Sequence, residues 1–128
     1  MRLDVSVLSS FKKIDEAAVD VLLGKEISEN KKKIVVLDDD PTGVQTVHDV
    51  SVYTGWDHDS VLAGFQEKNN LFYILTNSRG FTQEQTTKAH NEIASVVDKV
   101  AHETGREYIF ISRSDSTLRG HYPLETKL

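Results

Sequence analysis

Short apolar runs along the chain predict four strands that alternate with helices. Three runs, at residues 34–37, 71–75 and 108–111, are uninterrupted and rich in β-branched or aromatic side chains. The runs at 34–37 and 71–75 are typical of strands that are buried on both faces of a sheet, and the run at 108–111 predicts a further strand. A weaker strand is predicted at residues 50–53.

The spacing of apolar residues also predicts a helix before the first strand and a shorter helix between the second and third strands. Ser10 is the expected N-cap of the first helix, and Gly24 is its expected end. The apolar positions of this helix are Ile14, Ala17, Ala18, Val21 and Leu22. Asp57 or Asp59 is expected to cap the shorter helix. Its apolar face consists of Val61, Leu62 and Phe65.

The clearest helix precedes the last strand and completes the fold prediction. Thr82, followed three residues later by Gln85, forms a capping-box pattern, and Gly105 is the expected end. Alternating strands and helices imply a parallel sheet with right-handed crossovers. We therefore expect an α/β fold with a Rossmann-like, open, mainly parallel sheet and helices on both faces, preceded by an N-terminal helix. Residues 1–32 are the expected helical lead-in, and residues 33–128 the expected α/β domain. The apolar stripe of the clearest helix is Ala89, Ile93, Val96, Val97, Val100 and Ala101.

Polar clusters follow three of the predicted strands, at residues 38–43, 76–80 and 112–121. Ligands of parallel α/β sheets bind beyond the carboxyl ends of the strands, so we expect these clusters to meet at one rim. The adjacent carboxylates of residues 38–40 favour a metal, a ligand hydroxyl or a proton-transfer role. The same stretch is also typical of a turn in which an aspartate caps the backbone.

The second and third clusters favour a small anionic ligand. Residues 76–80 offer hydroxyl, amide and guanidinium groups before a helix N-terminus, although each of these groups also fits a structural role. Residues 112–121 contain three serines, a threonine, two arginines, an aspartate and a histidine. Arginine binds carboxylates bidentately, and Gly120 would let backbone approach closely. His121, at the end of the cluster, is interpreted as structural.

Charge and composition argue against nucleic acid and a membrane as partners. The formal charge is -5 and the longest basic run is residues 31–33, so nucleic acid is not an expected partner. No stretch approaches the ~18 apolar residues of a membrane span, and residues 1–10 lack the apolar core of a secretion signal. The chain has no cysteine, which agrees with a reducing compartment. A cytoplasmic protein without a membrane segment is expected.

Three stretches resemble the N-terminal motifs of the four-carbon acid sugar kinase family, in the order in which that family has them. They are residues 36–48, 73–79 and 112–123. The family's Asp-Asp-x-Thr-Gly falls on residues 39–43, and its Asp-Ser-Thr-Leu-Arg-Gly falls on residues 115–120. Many members have a lysine two residues before the second motif, where this chain has Arg113. The positive charge is kept, but the compact, titratable amine is not.

The resemblance implies the substrate-binding part of an ATP-dependent kinase with two α/β domains. The implied substrate is a sugar acid such as threonate, erythronate or an oxo-tetronate. ATP and Mg²⁺ are expected to bind mainly to a C-terminal domain beyond this chain, which has no Gly-rich phosphate loop with a following Lys and Ser/Thr. This chain alone is therefore expected to be inactive, and an exposed sheet edge would favour self-association into a homo-oligomer.

The resemblance also assigns residues to roles. Asp40 is the implied catalytic base for the substrate hydroxyl. No metal ligands are expected within the chain. The implied substrate-binding residues are Asp39, Thr42, Gly43, Ser78, Arg79, Arg113, Asp115, Ser116, Thr117, Arg119 and Gly120.

Other protein classes share parts of this pattern. Asp38, Asp40 and Thr42, together with residues 76–78, resemble the first two motifs of haloacid dehalogenase-like, Mg²⁺-dependent phosphatases, in which Asp38 would be the nucleophile. Those motifs give no account of residues 115–122. A receiver-type signalling domain also gathers acidic residues after its first strand, but it would need an aspartate within residues 76–78. A non-catalytic binding module, or a fragment without function, is the third alternative.

Overall fold

The computed structural model describes residues 4–45, 47–115 and 119–128, which form two compact units, Met1–Asn30 and Lys31–Leu128. The first unit contains a 3-10 helix, Val5–Ser10, and an α-helix, α1, at Glu16–Glu29. No residue of α1 is buried. Among the described residues, no helix combines the length and apolar character needed to cross a membrane.

The predicted boundaries of the first helix are wrong at both ends. Asp15, rather than Ser10, is the N-cap, and its side chain accepts a hydrogen bond of 3.1 Å from the Ala18 N–H. The Ser10 hydroxyl instead donates to the Val7 carbonyl oxygen. α1 continues through Gly24, around which a Cβ would meet nothing within 4 Å. Glycine lowers helix stability but does not by itself end a helix.

The second unit is built on a four-stranded parallel sheet, as the sequence predicts. Its strands are β1 (Lys33–Asp38), β2 (Val52–Tyr53), β3 (Leu71–Leu75) and β4 (Tyr108–Arg113), in the order β2-β3-β1-β4. β1 pairs in parallel with both β3 and β4, and β2 pairs with β3. The helices are α2 (His58–Gln66) and α3 (Gln83–Thr104), with 3-10 turns at Ser78–Gly80 and Leu124–Thr126.

The ends of α2 and α3 follow the local sequence signals. Asp57 caps α2 by accepting from the Ser60 N–H at 3.1 Å. Thr82 and Gln85 form the predicted capping box of α3, with each side chain accepting from the backbone N–H of the other. Gly105 ends α3 in the left-handed conformation, with φ 63°, which glycine adopts without steric cost. These caps fix where α3 begins beside the end of β3.

Both α-helices of this unit lie on one face of the sheet, whereas the sequence predicted helices on both faces. Val35 and Ile74 of the sheet share one core cluster with Phe65 of α2 and Ile93 of α3. The connections β2 to β3 and β3 to β4 run in the same direction across the sheet, so right-handed crossovers put their helices on the same face. The connection β1 to β2 runs in the opposite direction, but its described residues form turns and bends instead of an α-helix.

Candidate functional site

The three polar clusters meet at the carboxyl ends of β1, β3 and β4. The Asp38 carbonyl oxygen accepts from the Thr76 N–H at 2.8 Å and from the Thr76 hydroxyl at 2.9 Å, which joins the first cluster to the second. The Asp39 N–H donates to the Arg113 carbonyl oxygen at 3.4 Å, which joins the first cluster to the third. The predicted common rim is therefore confirmed.

Arg79 links two aspartates at this rim through all three of its guanidinium nitrogens. Its Nε and Nη2 lie 3.2 and 2.9 Å from the two carboxylate oxygens of Asp39. Its Nη1 lies 2.8 Å from Asp40 Oδ2. The Asp39 side chain is only 2% exposed, and that of Arg79 is 24% exposed. The hydrogen bonds to Asp39 raise the pKa of the Arg79 guanidinium, so the group stays charged.

Asp115 contacts the same aspartate from another direction. Its backbone N–H donates to Asp39 Oδ2 at 3.1 Å. The buried Asp39 carboxylate is thus held by a bidentate arginine and by one amide, which meets the need of a buried charge for hydrogen-bonding partners. We refer to Asp39, Asp40, Arg79 and Asp115 as the Asp-Arg cluster.

Asp40 is the more accessible carboxylate of the pair that Arg79 bridges. Its Oδ1 accepts from the Thr42 N–H at 2.8 Å and also from the Thr42 hydroxyl. These two hydrogen bonds, followed by the nearby charges of Arg79 and Arg119, lower the pKa of the Asp40 carboxyl. Asp40 is consequently an ionised hydrogen-bond acceptor, partly exposed at the rim.

Asp38 lies beneath the rim and is covered by the backbone of Gly43. Its side chain is 2% exposed, and its Oδ1 lies 3.6 Å from Arg113 Nη1. Burial raises the pKa of the Asp38 carboxyl, against the opposing effects of the Asp40 N–H and Arg113. A Cβ at position 43 would lie 1.5 Å from Asp38 Oδ2, so only glycine fits there without displacement. Gly43, predicted to bind substrate, therefore has a packing role in this structure.

The third cluster supplies the most exposed guanidinium groups of the site. Arg119 Nε lies 3.1 Å from Asp115 Oδ2, and the Arg119 side chain is 68% exposed. The Arg113 side chain is 44% exposed. A Cβ at Gly120 would lie 1.5 Å from the Asp115 carbonyl oxygen, so this glycine also permits a close backbone approach. The predicted Ser116 and Thr117 lie outside the described residues.

Ser78 is at the rim but is buried, and its hydroxyl lies 3.0 Å from the Thr76 hydroxyl. The Thr76 hydroxyl donates this hydrogen bond, which links the end of β3 to the turn that carries Arg79. Among the residues that the structure describes, no group of three or more acidic or histidine side chains is arranged to hold a metal ion.

Glu125 contacts the third cluster, although it is not among the site residues that the sequence predicts. It is 8% exposed, and one of its carboxylate oxygens accepts from the Ser114 hydroxyl. A lone glutamate among mixed residues is most often a surface residue, so composition gave no signal. Its position just after the polar run 112–121 was the only available indication.

The fold and the site define an α/β domain that presents aspartate and arginine side chains at the carboxyl edge of a parallel sheet. The family model described as the sugar-binding N-terminal domain matches residues 34–128. The chain therefore belongs to this family, which is the N-terminal domain of four-carbon acid sugar kinases. No curated protein and no solved structure matches the chain.

Proposed function

We propose that this domain binds a four-carbon sugar acid, such as threonate, erythronate or an oxo-tetronate, as the substrate of an ATP-dependent kinase. The observation that carries the proposal is the Asp-Arg cluster at the rim, beside the exposed guanidinium groups of Arg113 and Arg119. An aldonate has one carboxylate and several hydroxyls, which need cationic donors and anionic acceptors in the same place.

The carboxylate of the substrate binds the exposed arginines in this proposal. Arg79 uses its three nitrogens on Asp39 and Asp40, so in this arrangement it orients the aspartates. Arg119 and Arg113 are more exposed and therefore have N–H groups within reach of a ligand. A guanidinium group binds a carboxylate through two parallel hydrogen bonds, which fixes the orientation of the ligand.

The hydroxyls of the substrate bind the carboxylates of the cluster. Asp40 is ionised and partly exposed, so it can accept a hydrogen bond from the hydroxyl that is phosphorylated. Phosphoryl transfer depends mainly on positioning and charge stabilisation, and an aspartate that accepts the hydroxyl proton completes it. In a two-domain kinase that contains this domain, Asp40→Asn should abolish turnover; near-normal turnover would contradict the role.

We propose that ATP and Mg²⁺ bind mainly outside this chain. The sequence contains no Gly-rich phosphate loop, and the described residues include no cluster of three metal-ligating side chains. We therefore assign both mainly to a separate nucleotide-binding domain. We expect no threonate-dependent ADP formation when this chain is incubated with ATP and Mg²⁺, and such formation would contradict the assignment.

Calorimetric titration with four ligands tests the binding proposal. Threonate and erythronate carry both the carboxylate and the hydroxyls, erythritol lacks the carboxylate, and succinate lacks the hydroxyls. Because a charged hydrogen bond is worth about 1.5 to 3 kcal/mol, we expect erythritol and succinate to bind at least about tenfold more weakly. Equal affinity for threonate and erythritol, or no saturable binding of either acid, would contradict the proposal.

A matched pair of variants locates the binding. Arg119→Gln should weaken threonate binding about tenfold or more, since it removes a charged donor at the rim. Lys68→Gln removes a charge just before β3, at the opposite edge of the sheet, and should leave the affinity unchanged. Equal effects of the two substitutions would argue for non-specific charge attraction.

The structure gives no support to the phosphatase alternative. Asp38, the nucleophile in that alternative, is buried, and the backbone of Gly43 covers its carboxylate. Burial also raises its pKa, which favours the protonated, non-nucleophilic form. Hydrolysis of p-nitrophenyl phosphate with Mg²⁺ that is lost in Asp38→Asn would revive this alternative.

A further inference from the structure

The 3-10 turn Leu124–Thr126 packs against α3 and brings a buried carboxylate next to the third cluster. Glu125 Oε2 accepts from the Ser114 hydroxyl, and Ser114 Oγ lies 3.1 Å from Ser112 Oγ. The other oxygen, Oε1, is buried and has no hydrogen-bond partner among the described residues. A buried carboxylate that is only partly satisfied costs stability, so the hydrogen bond that Glu125 accepts from Ser114 is the contact that can offset this cost.

The residue that Glu125 holds is directly followed by a member of the Asp-Arg cluster. The Asp115 N–H donates to Asp39 Oδ2 at 3.1 Å, on the same carboxylate that Arg79 binds. The peptide unit between Ser114 and Asp115 carries this N–H group. Fixing the Ser114 side chain therefore restrains the residue whose backbone orients this N–H group.

We propose that Glu125 is a positioning residue for the substrate site. Its carboxylate fixes Ser114. This directs the Asp115 N–H at Asp39 and keeps the Asp39 carboxylate in position to bind Arg79. The effect on ligand binding rests on the proposed function, but the effect on the Asp115 amide does not.

Amide hydrogen exchange measured by NMR on the whole chain, without ligand, tests the positioning directly. In Glu125→Ala, the Asp115 amide should exchange at least about tenfold faster, because its hydrogen bond to Asp39 is populated less. The backbone amide of Val35, a buried residue of β1, should exchange at the same rate as in the wild type. Glu125→Gln keeps an acceptor for the Ser114 hydroxyl and should restore most of the Asp115 protection. Glu26→Ala, an exposed glutamate of α1, is the matched control.

The same variants are then titrated with threonate. Glu125→Ala should weaken binding about tenfold, and Glu125→Gln should recover it to within about threefold. Should Glu125→Ala fail to fold, Ser114→Ala removes the donor instead and should give the same faster exchange at Asp115.

Unchanged exchange at Asp115 in Glu125→Ala or in Ser114→Ala would overturn the proposal. Faster exchange at Asp115 and Val35 together would also overturn it, because this pattern is that of general destabilisation. If the wild type binds no four-carbon acid while the exchange effect is present, the proposed function fails and the positioning role stands.

Discussion

Replacing Arg79 by methionine should destabilise the domain by removing the guanidinium that neutralises a buried carboxylate. Asp39 loses hydrogen bonds of 3.2 and 2.9 Å, and of the donors among the described residues it keeps only the Asp115 N–H at 3.1 Å. Removing one partner of a buried ion pair costs about 3 to 5 kcal/mol. Because Arg79 is 24% exposed and water can reach the vacated space, we expect the lower end, about 3 kcal/mol.

Urea unfolding, followed by the fluorescence of Trp56, measures this cost. With a slope of about 2 kcal/mol per molar urea, the midpoint should fall by about 1.5 M. Lys88→Met is the matched control, because the ion pair that Lys88 forms with Glu92 within α3, at 3.8 Å, is exposed. Such pairs contribute at most about 1 kcal/mol. An Arg79→Met midpoint no lower than that of Lys88→Met would show that Arg79 does not stabilise the buried Asp39 carboxylate.

Three further substitutions test separate parts of the account. Gly43→Ala places a Cβ 1.5 Å from Asp38 Oδ2 and should cost about 1 to 3 kcal/mol in urea unfolding, whereas Gly24→Ala in α1 should be neutral or stabilising. Burial raises the folded-state pKa of Asp38, so deprotonation above pH 3.8, the ordinary Asp pKa, costs the wild type stability. The free energy of unfolding of Asp38→Asn should therefore increase relative to that of the wild type as pH rises above this value. In the wild type, Lys33 Nζ donates to the Glu67 carbonyl oxygen at 2.9 Å. Lys33→Met removes this charged donor and should lower the free energy of unfolding by about 2 kcal/mol.

Each of these predictions has a result that would contradict it. Equal midpoints for Gly43→Ala and Gly24→Ala would mean that the backbone relaxes around the new methyl group. A stability difference between Asp38→Asn and the wild type that does not change with pH would show that burial does not raise the Asp38 pKa. Lys32→Met removes an exposed neighbour of Lys33. An equal loss of unfolding free energy in Lys32→Met and Lys33→Met would show that the buried Lys33 amine does not stabilise the fold through its hydrogen bonds.

The sequence was sufficient for elements whose determinants are local. The apolar runs gave the strands, and the Thr82 and Gln85 capping box gave the start of α3, because these signals depend on neighbours in the chain. The start of α1 was missed since both Ser10 and Asp15 can cap a helix, and apolar spacing does not choose between them. That α2 and α3 share one face of the sheet could not be predicted, because the spatial order of the strands was unknown.

The location of the site was also predictable, whereas the pairing within it was not. Parallel strands bring their carboxyl ends to one rim, so three polar clusters at strand ends were expected to meet. Which arginine binds which aspartate depends on distances between residues 40 positions apart. The sequence could not show that Arg79 is occupied by Asp39, that Gly43 makes room for Asp38, or that Glu125 lies behind the third cluster.

An NMR titration of the isotope-labelled chain with threonate tests whether a four-carbon acid binds at the Asp-Arg cluster. We expect saturable chemical-shift changes that are largest for the backbone amides of Asp39, Arg79, Asp115 and Arg119. Shifts confined to the opposite edge of the sheet, around Lys32 and Glu107, or no saturable shifts at all, would contradict it.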